Sequence, residues 1–166
     1  MITARPASPD DLVRIWDHDL ARHPCWPAEW KDTYIALNQS GKAKTFGIFD
    51  GGQPIGTGTL LFSPECGAVG GRAKLADGKT TAHVNALRID KPYESRGHIS
   101  ALVKQMERYA ASLGYTALTI GVASREKRSR AIYRHWGYGK FITLFKTREG
   151  LILNYAKKLT KDCESL

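Results

Sequence analysis

Leu87-Arg88-Ile89-Asp90-Lys91-Pro92-Tyr93-Glu94-Ser95-Arg96-Gly97-His98-Ile99-Ser100-Ala101-Leu102 is the stretch whose reading decides the fold. Its first residues close a strand pattern running from Thr81 to Ile89, in which His83, Asn85 and Leu87 share one face because strand side chains alternate with period two. Lys91-Pro92 ends that strand, since proline has no N–H to give a sheet ladder. From Gly97 the period changes. Ile99, Leu102, Val103, Met106, Tyr109, Ala110 and Leu113 recur at helical spacings, and Gly114 supplies the stop. The turn from Tyr93 to Ser100 therefore carries the chain from a strand directly into a long amphipathic helix. The first amides of a helix have no intrahelical partner and lie at the positive end of its dipole, so such a turn accepts phosphate oxygens. Gly97 has no Cβ to hold a ligand away, and Arg96 and His98 add charge.

Upstream, Ile2 to Arg5 reads as a short strand, and Ser8-Pro9-Asp10-Asp11 as an N-cap with an acidic first turn. The helix it opens runs to about Ala21, carries Leu12, Ile15, Trp16 and Leu20 as its apolar stripe, and is stopped by Pro24. A second helix begins after Pro27 and ends near Gly41, with Trp30, Tyr34, Ile35 and Leu37 inward. Thr45–Phe49 and Pro54–Phe62 flank Asp50-Gly51-Gly52 as a hairpin. Ser63 to Lys79 is Gly-rich and aperiodic, a long connection of the kind that often carries function. Downstream come a strand from Tyr115 to Val122, a charged helix from about Glu126 to Trp136 closed by Gly137, and strands Phe141–Lys146 and Leu151–Ala156. This order predicts an α/β (α+β) sheet with helices on its faces, one domain over residues 1–166.

Composition agrees with a folded chain: 42% of residues are hydrophobic and 25% charged, far from the profile of disorder. No apolar run reaches the roughly 18 residues of a membrane span, and the start has no signal-peptide pattern, so a cytoplasmic location is expected. Cys25, Cys66 and Cys163 are odd in number and match no zinc spacing, which predicts reduced thiols and no metal. The net charge of +9 favours anionic partners, whether nucleic acid, lipid headgroups or a phosphorylated cofactor.

The Leu87–Leu102 stretch resembles the pyrophosphate-binding motif of the GNAT superfamily of acyl-CoA-dependent N-acetyltransferases, which passes from a strand end through a Gly-containing turn into an amphipathic helix. Ala131-Ile132-Tyr133-Arg134-His135-Trp136-Gly137-Tyr138 resembles the family's second signature, in which a Tyr stands four residues before a Gly-aromatic pair. The resemblance implies a mixed, mostly antiparallel central sheet of about six to seven strands with about four helices. Aligned on Gly97, Glu94 and Ile99 occupy positions that the family fills with Arg/Gln and Gly/Ala, so Glu94 must point away or weaken affinity, and Ile99 must turn into the core. Glu126 stands where many relatives carry Asn, while Ser129 fits a small-residue position.

The resemblance implies acetyl-CoA as co-substrate, held by Leu87, Arg88, Ile89, Glu94, Ser95, Arg96, Gly97, His98, Ile99, Ser100 and Ser129. The pantetheine arm would pair with the strand ending at Leu87 and Ile89, and a backbone N–H near Leu87 would polarise the acetyl carbonyl. An amine acceptor would attack directly, with Tyr133 as general acid. An amine must also lose a proton, which makes His83 the base candidate and gives Asn85 the task of orienting water or substrate. Two other readings stand beside this one: a non-catalytic acyl-CoA sensor, and a nucleic-acid-binding domain using Arg125, Lys127, Arg128, Arg130 and Arg134 with interleaved aromatics. The acceptor pocket would draw on the first two helices, where Trp16, Trp26, Trp30 and Tyr34 supply aromatic walls and Asp17, Asp19, Glu29 or Asp32 charge. No membrane partner is expected, and monomer and homodimer are equally compatible with the sequence.

Overall fold

The computed structural model describes residues 1–160, so Cys163 lies outside the described residues. The elements are β1 (Ile2–Pro6), α1 (Pro9–Arg22), α2 (Glu29–Gln39), β2 (Ala43–Asp50), β3 (Gln53–Leu61), β4 (Thr81–Ile89), a 3-10 turn (Lys91–Tyr93), α3 (His98–Ser112), β5 (Ala117–Ala123), α4 (Lys127–His135), β6 (Lys140–Thr147) and β7 (Gly150–Lys158). The strands form one seven-stranded sheet in the order β1-β2-β3-β4-β5-β7-β6. It is mixed and mostly antiparallel: β4 and β5 pair in parallel, whereas β1/β2, β5/β7 and β6/β7 are antiparallel. The expected architecture is therefore the one observed. The chain divides into two compact units, Met1–Leu60 with Ala86–Met106, and Leu61–Asn85 with the chain from Glu107 onward.

In the first unit, α1 begins where the sequence asks it to. The Ser8 hydroxyl accepts from the Asp11 amide at 3.1 Å and the Asp11 carboxylate accepts from the Ser8 amide at 2.8 Å, a reciprocal cap. Arg5 pairs with the same carboxylate. That hydrogen bond, with those from Ser8, outweighs the cost of desolvation and holds Asp11 down to about 2. Leu12 and Ile15 pack with Ala7 and Phe49, and Ile35 of α2 closes over them. The rest of α2 departs from expectation. None of its residues is buried, and Trp30 is 40% exposed. Its ring leans on Trp26 at 5.6 Å, while Tyr34 tilts against Trp16 at 5.0 Å. The helix thus rides on an aromatic layer and buries little of itself.

In the second unit, the long connection is packed down by its apolar residues: Cys66, Val69, Leu75 and Ala76 are at most 1% exposed. Its last turn is organised by Asp77, whose Oδ1 accepts from the amides of Lys79, Thr80 and Thr81. Desolvation opposes ionisation there, but those amide hydrogen bonds and the Thr80 hydroxyl keep the carboxyl well below its usual range. A buried charge sits at the far end of α3. Glu107, 4% exposed, accepts from Tyr138 at 2.8 Å and from Lys157 Nζ at 3.0 Å on both oxygens.

One close approach in the first unit is testable. A Cβ on Gly56 of β3 would lie 2.9 Å from the Arg88 carbonyl oxygen, a backbone atom that cannot turn aside. Gly56→Ala is expected to lose about 1–3 kcal/mol in urea unfolding, the usual range for forced overpacking; an unchanged midpoint would show that β3 and β4 can part without cost.

Candidate active site

β4 does not remain a regular strand. Ala86 has φ 58, a left-handed value that an L-residue with a Cβ rarely adopts. The expectation that His83, Asn85 and Leu87 share one face assumed unbroken alternation, and Ala86 corrects it: the pattern restarts beyond it, as at a bulge. Leu87 covers Gly58 together with Leu102 and Met106. Arg88 points elsewhere. Its guanidinium meets Asp19 at 2.5 Å and lies 4.9 Å from the Trp26 ring and 5.3 Å from that of Trp16. The side chain expected to help hold the cofactor is thus committed to α1, and Arg88 has its backbone to offer a ligand. Asp19, named for a cationic amine, is neutralised by the same pair.

The turn after β4 is tied at both ends. Asp90 donates its amide to Ile55 at 2.8 Å and accepts from His18 at 2.9 Å, and Tyr93 donates to Asp50 at 2.6 Å. Between these ties and α3, Ser95 and Gly97 take left-handed φ of 62 and 82. The Gly97 carbonyl accepts the first helical bond from Ala101 at 3.0 Å, so the amides of His98, Ile99 and Ser100 open the helix without intrahelical partners. The space beside Gly97 is open, with no atom within 4 Å of where a Cβ would stand. Glu94, Ser95 and Arg96 are exposed and Ile99 is half-buried. The His98 Nε2 is buried and meets no hydrogen-bond partner among the described residues, its ring edge-on to Tyr93 at 6.5 Å. The start of α3 thus brings together unpaired helix amides, open space beside Gly97 and the exposed Arg96, with the His98 Nε2 buried.

In the second unit, the parallel register of β4 with β5 covers Thr81–Val84 against Ala117–Ile120, placing His83 opposite Thr119. His83 is 4% exposed. Its Nδ1 lies 2.8 Å from the Thr119 hydroxyl, which donates to the Leu75 carbonyl at 2.8 Å. A hydroxyl has one proton, and a carbonyl can only accept. Thr119 therefore spends its proton on Leu75 and must accept from His83, which fixes the proton on Nδ1 and the lone pair on Nε2. Desolvation pushes His83 down to about 4, so the ring is neutral at physiological pH. It accepts hydrogen bonds well and retains a proton poorly, which weakens it as the base that an unperturbed histidine would have been.

Tyr133 and Ser129 are half-buried on α4. The Tyr133 ring packs on Trp136 at 5.5 Å, and its carbonyl accepts from the Tyr138 amide at 3.0 Å. Burial, then the charge of Glu126, raises its hydroxyl above the ordinary value, so it holds its proton. Sequence reading passed over two polar residues here: Thr119, and Asn154 of β7. Asn154 is 1% exposed, donates to the Thr143 carbonyl, and has an amide oxygen without a partner among the described residues. Opposing Gly121 in the register, it lies on the same sheet face as Thr119. The available signal was an asparagine inside the apolar run Leu151–Ala156. Among the described residues no cluster of metal ligands occurs and no helix is long and apolar enough to cross a membrane.

The His83 environment makes two expectations concrete. With the folded pKa lowered to about 4 and the unfolded one near 6.5, the unfolded state binds the extra proton between those values. Stability is then fully present above about pH 6.5 and falls by about 1.4 kcal/mol per pH unit as pH drops toward 4. A His83→Gln protein should lack this slope, and equal slopes in the two proteins would remove the assignment. Nitrogen NMR of the His83 ring should show Nδ1 protonated and Nε2 bare, a pattern kept in Thr119→Ser and lost in Thr119→Val.

Residues 11–138 match the Acetyltransferase (GNAT) family. A comparison with curated protein sequences returns no match. Among solved structures, the ribosomal-protein-S18-alanine N-acetyltransferase of Escherichia coli aligns with TM-score 0.70 and 17% identity, over 96% of this chain and 95% of that one. RimL, the ribosomal L7/L12 α-N-protein acetyltransferase, solved with coenzyme A, aligns with TM-score 0.69 and 15% identity over 95% and 94%. NAA60 of Arabidopsis thaliana, solved with a bisubstrate analogue, aligns with TM-score 0.69 and 15% identity over 95% and 98%. At such identities the likeness concerns the fold; the family match spans most of the chain, and on that ground this chain belongs to the GNAT acetyltransferase family.

Proposed function

We propose that the protein transfers the acetyl group of acetyl-CoA to a primary amine of a small molecule or peptide by direct attack. The observation that carries this reading is the backbone on either side of Asp90: a left-handed Ala86 in β4 and left-handed Ser95 and Gly97 before α3. A left-handed residue turns the peptide unit beside it out of the strand pattern, and this supports the Leu87 amide as donor to the developing oxyanion. On this reading the backbone of Leu87 and Ile89 pairs with the pantetheine arm as an added strand would. The open amides of His98, Ile99 and Ser100 suit a pyrophosphate, while Glu94 is exposed and free to point away from it.

When bound, acetyl-CoA supplies an activated thioester carbonyl. The chain supplies position and protons. His83, neutral with its lone pair on Nε2, accepts a hydrogen bond from the incoming amine or from a water that Asn85 orients; the amine's proton then passes to solvent, because His83 holds protons weakly. Tyr133 keeps its proton and donates to the departing sulfur, a contact that strengthens as negative charge grows there. Supporting the choice of acceptor, two of the structural neighbours are N-acetyltransferases of ribosomal proteins, S18 and L7/L12.

The test is thiol release from acetyl-CoA in the presence of a panel of amines, including peptide α-amines. Tyr133→Phe is expected to lower kcat roughly 10²-fold or more while leaving acetyl-CoA affinity within about threefold. Unchanged turnover in that variant would remove Tyr133 as the acid. Thermal stabilisation by acetyl-CoA without thiol release toward any amine would replace the enzyme with a sensor.

A further inference from the structure

Helix α4 departs from what a helix on a sheet usually presents. Lys127, Arg130 and Arg134 stand three and four residues apart, on one side of the helix. That side lines a cavity of about 310 Å³ together with Tyr138 and Tyr155, and no carboxylate contributes to the lining. Cations gathered without a counter-charge repel one another and favour an anion between them.

Through Tyr155 the cavity borders a sheet face with exposed apolar residues. In the β6/β7 register Tyr155 opposes Phe141, Leu153 opposes Leu144 and Leu151 opposes Lys146, so these side chains share the face that Tyr155 shows to α4. Phe141 and Leu144 are each 51% exposed and Leu151 43%. The other face of β6 differs: there the Arg72 guanidinium covers Phe145 at 3.9 Å. Apolar exposure on this hairpin is thus found on the side that the α4 cations border.

We propose that this groove docks an extended acidic segment of a partner protein, its carboxylates on the α4 cations and its apolar side chains on Phe141, Leu144 and Leu151. Charge complementarity selects the occupant. A second copy of a chain with net charge +9 would bring cation to cation. A nucleic acid would answer the cations and leave the aliphatic Leu144 and Leu151 unmatched, whereas an extended peptide places alternate side chains about 7 Å apart on one face, the spacing of the exposed residues along a strand. The site is independent of the acetyl-transfer reading.

The test is fluorescence anisotropy with a labelled ten-residue peptide alternating Leu with Asp or Glu, beside a Leu/Gln peptide of equal length and an oligouridylate of equal charge. The acidic peptide should bind best and weaken about tenfold or more between about 50 and 300 mM salt. Lys127→Glu with Arg134→Glu should weaken it about tenfold or more, and Leu144→Ser about threefold. All three positions are exposed, so these proteins should fold, which circular dichroism checks. Tighter binding of the oligouridylate, equal binding of the Gln peptide, displacement by acetyl-CoA, or indifference to the substitutions would each overturn the proposal.

Discussion

Ala86 is held in a left-handed conformation that costs an L-residue about 1–2 kcal/mol, and much of the structure follows from where that cost is sustained. On one side, Thr81–Val84 are fixed in register with β5. On the other, the Asp90 amide is bonded to Ile55 and the Arg88 carbonyl lies against Gly56. Beyond Ala86 alternation begins again, Leu87 over Gly58 and Arg88 toward Asp19. Arg88 in turn lies against both Trp16 and Trp26, so the end of α1 and the approach to α2 depend on the direction that Ala86 gave the strand.

A second arrangement fixes α4, which buries none of its own residues. Tyr138, just past its end, is 1% exposed and bonded twice: its hydroxyl to the buried Glu107, its amide to the Tyr133 carbonyl. Lys157 completes the pair with Glu107 and packs its methylenes beside Gly137, whose φ of 102 closes the helix. A carboxylate this buried is tolerable because it is paired and hydrogen-bonded. Its strength lies in geometry, since losing either partner would strand the other. The helix that bears Tyr133 is thus anchored at its exit by a charge network and touches the sheet lightly elsewhere, which leaves the opposite row of cations bordering a cavity.

The elements were legible because each carries its own local signal. The Ser8-to-Asp11 cap opens α1, Gly114 and Gly137 close α3 and α4, and Thr81–Ile89 is a strand over the very residues its pattern marks. The turn around Gly97 was legible for the same reason, as glycine in a left-handed cap leaves a mark in composition. Ala86 left none, because alanine is chemically ordinary and its conformation is imposed by contacts far away in sequence. Arg88 was read as a ligand contact since nothing local indicates Asp19, 69 residues earlier. His83 was recognisable as a residue of interest, yet its character comes from Thr119 on a neighbouring strand and from the Leu75 carbonyl in a stretch that sequence shows as an aperiodic loop. Burial gave Tyr133 its raised proton affinity in the same non-local way.

On the proposed reading, the depressed basicity of His83 has a bearing on the acceptor. Burial lowers the basicity of His83, which makes it a poor acceptor for an ammonium proton, so on this reading the amine reacts from its neutral fraction. At pH 7 roughly one in ten α-amino groups is neutral, against a few in ten thousand for an alkylamine of lysine type. The neutral fraction alone therefore favours α-amines by about two orders of magnitude. The surface charge of +9 acts in the same direction, since it repels polycations and not a peptide terminus set among acidic residues. On the proposed reading, burial of one imidazole, fixed by one hydroxyl, thus goes with acceptors that are weakly basic.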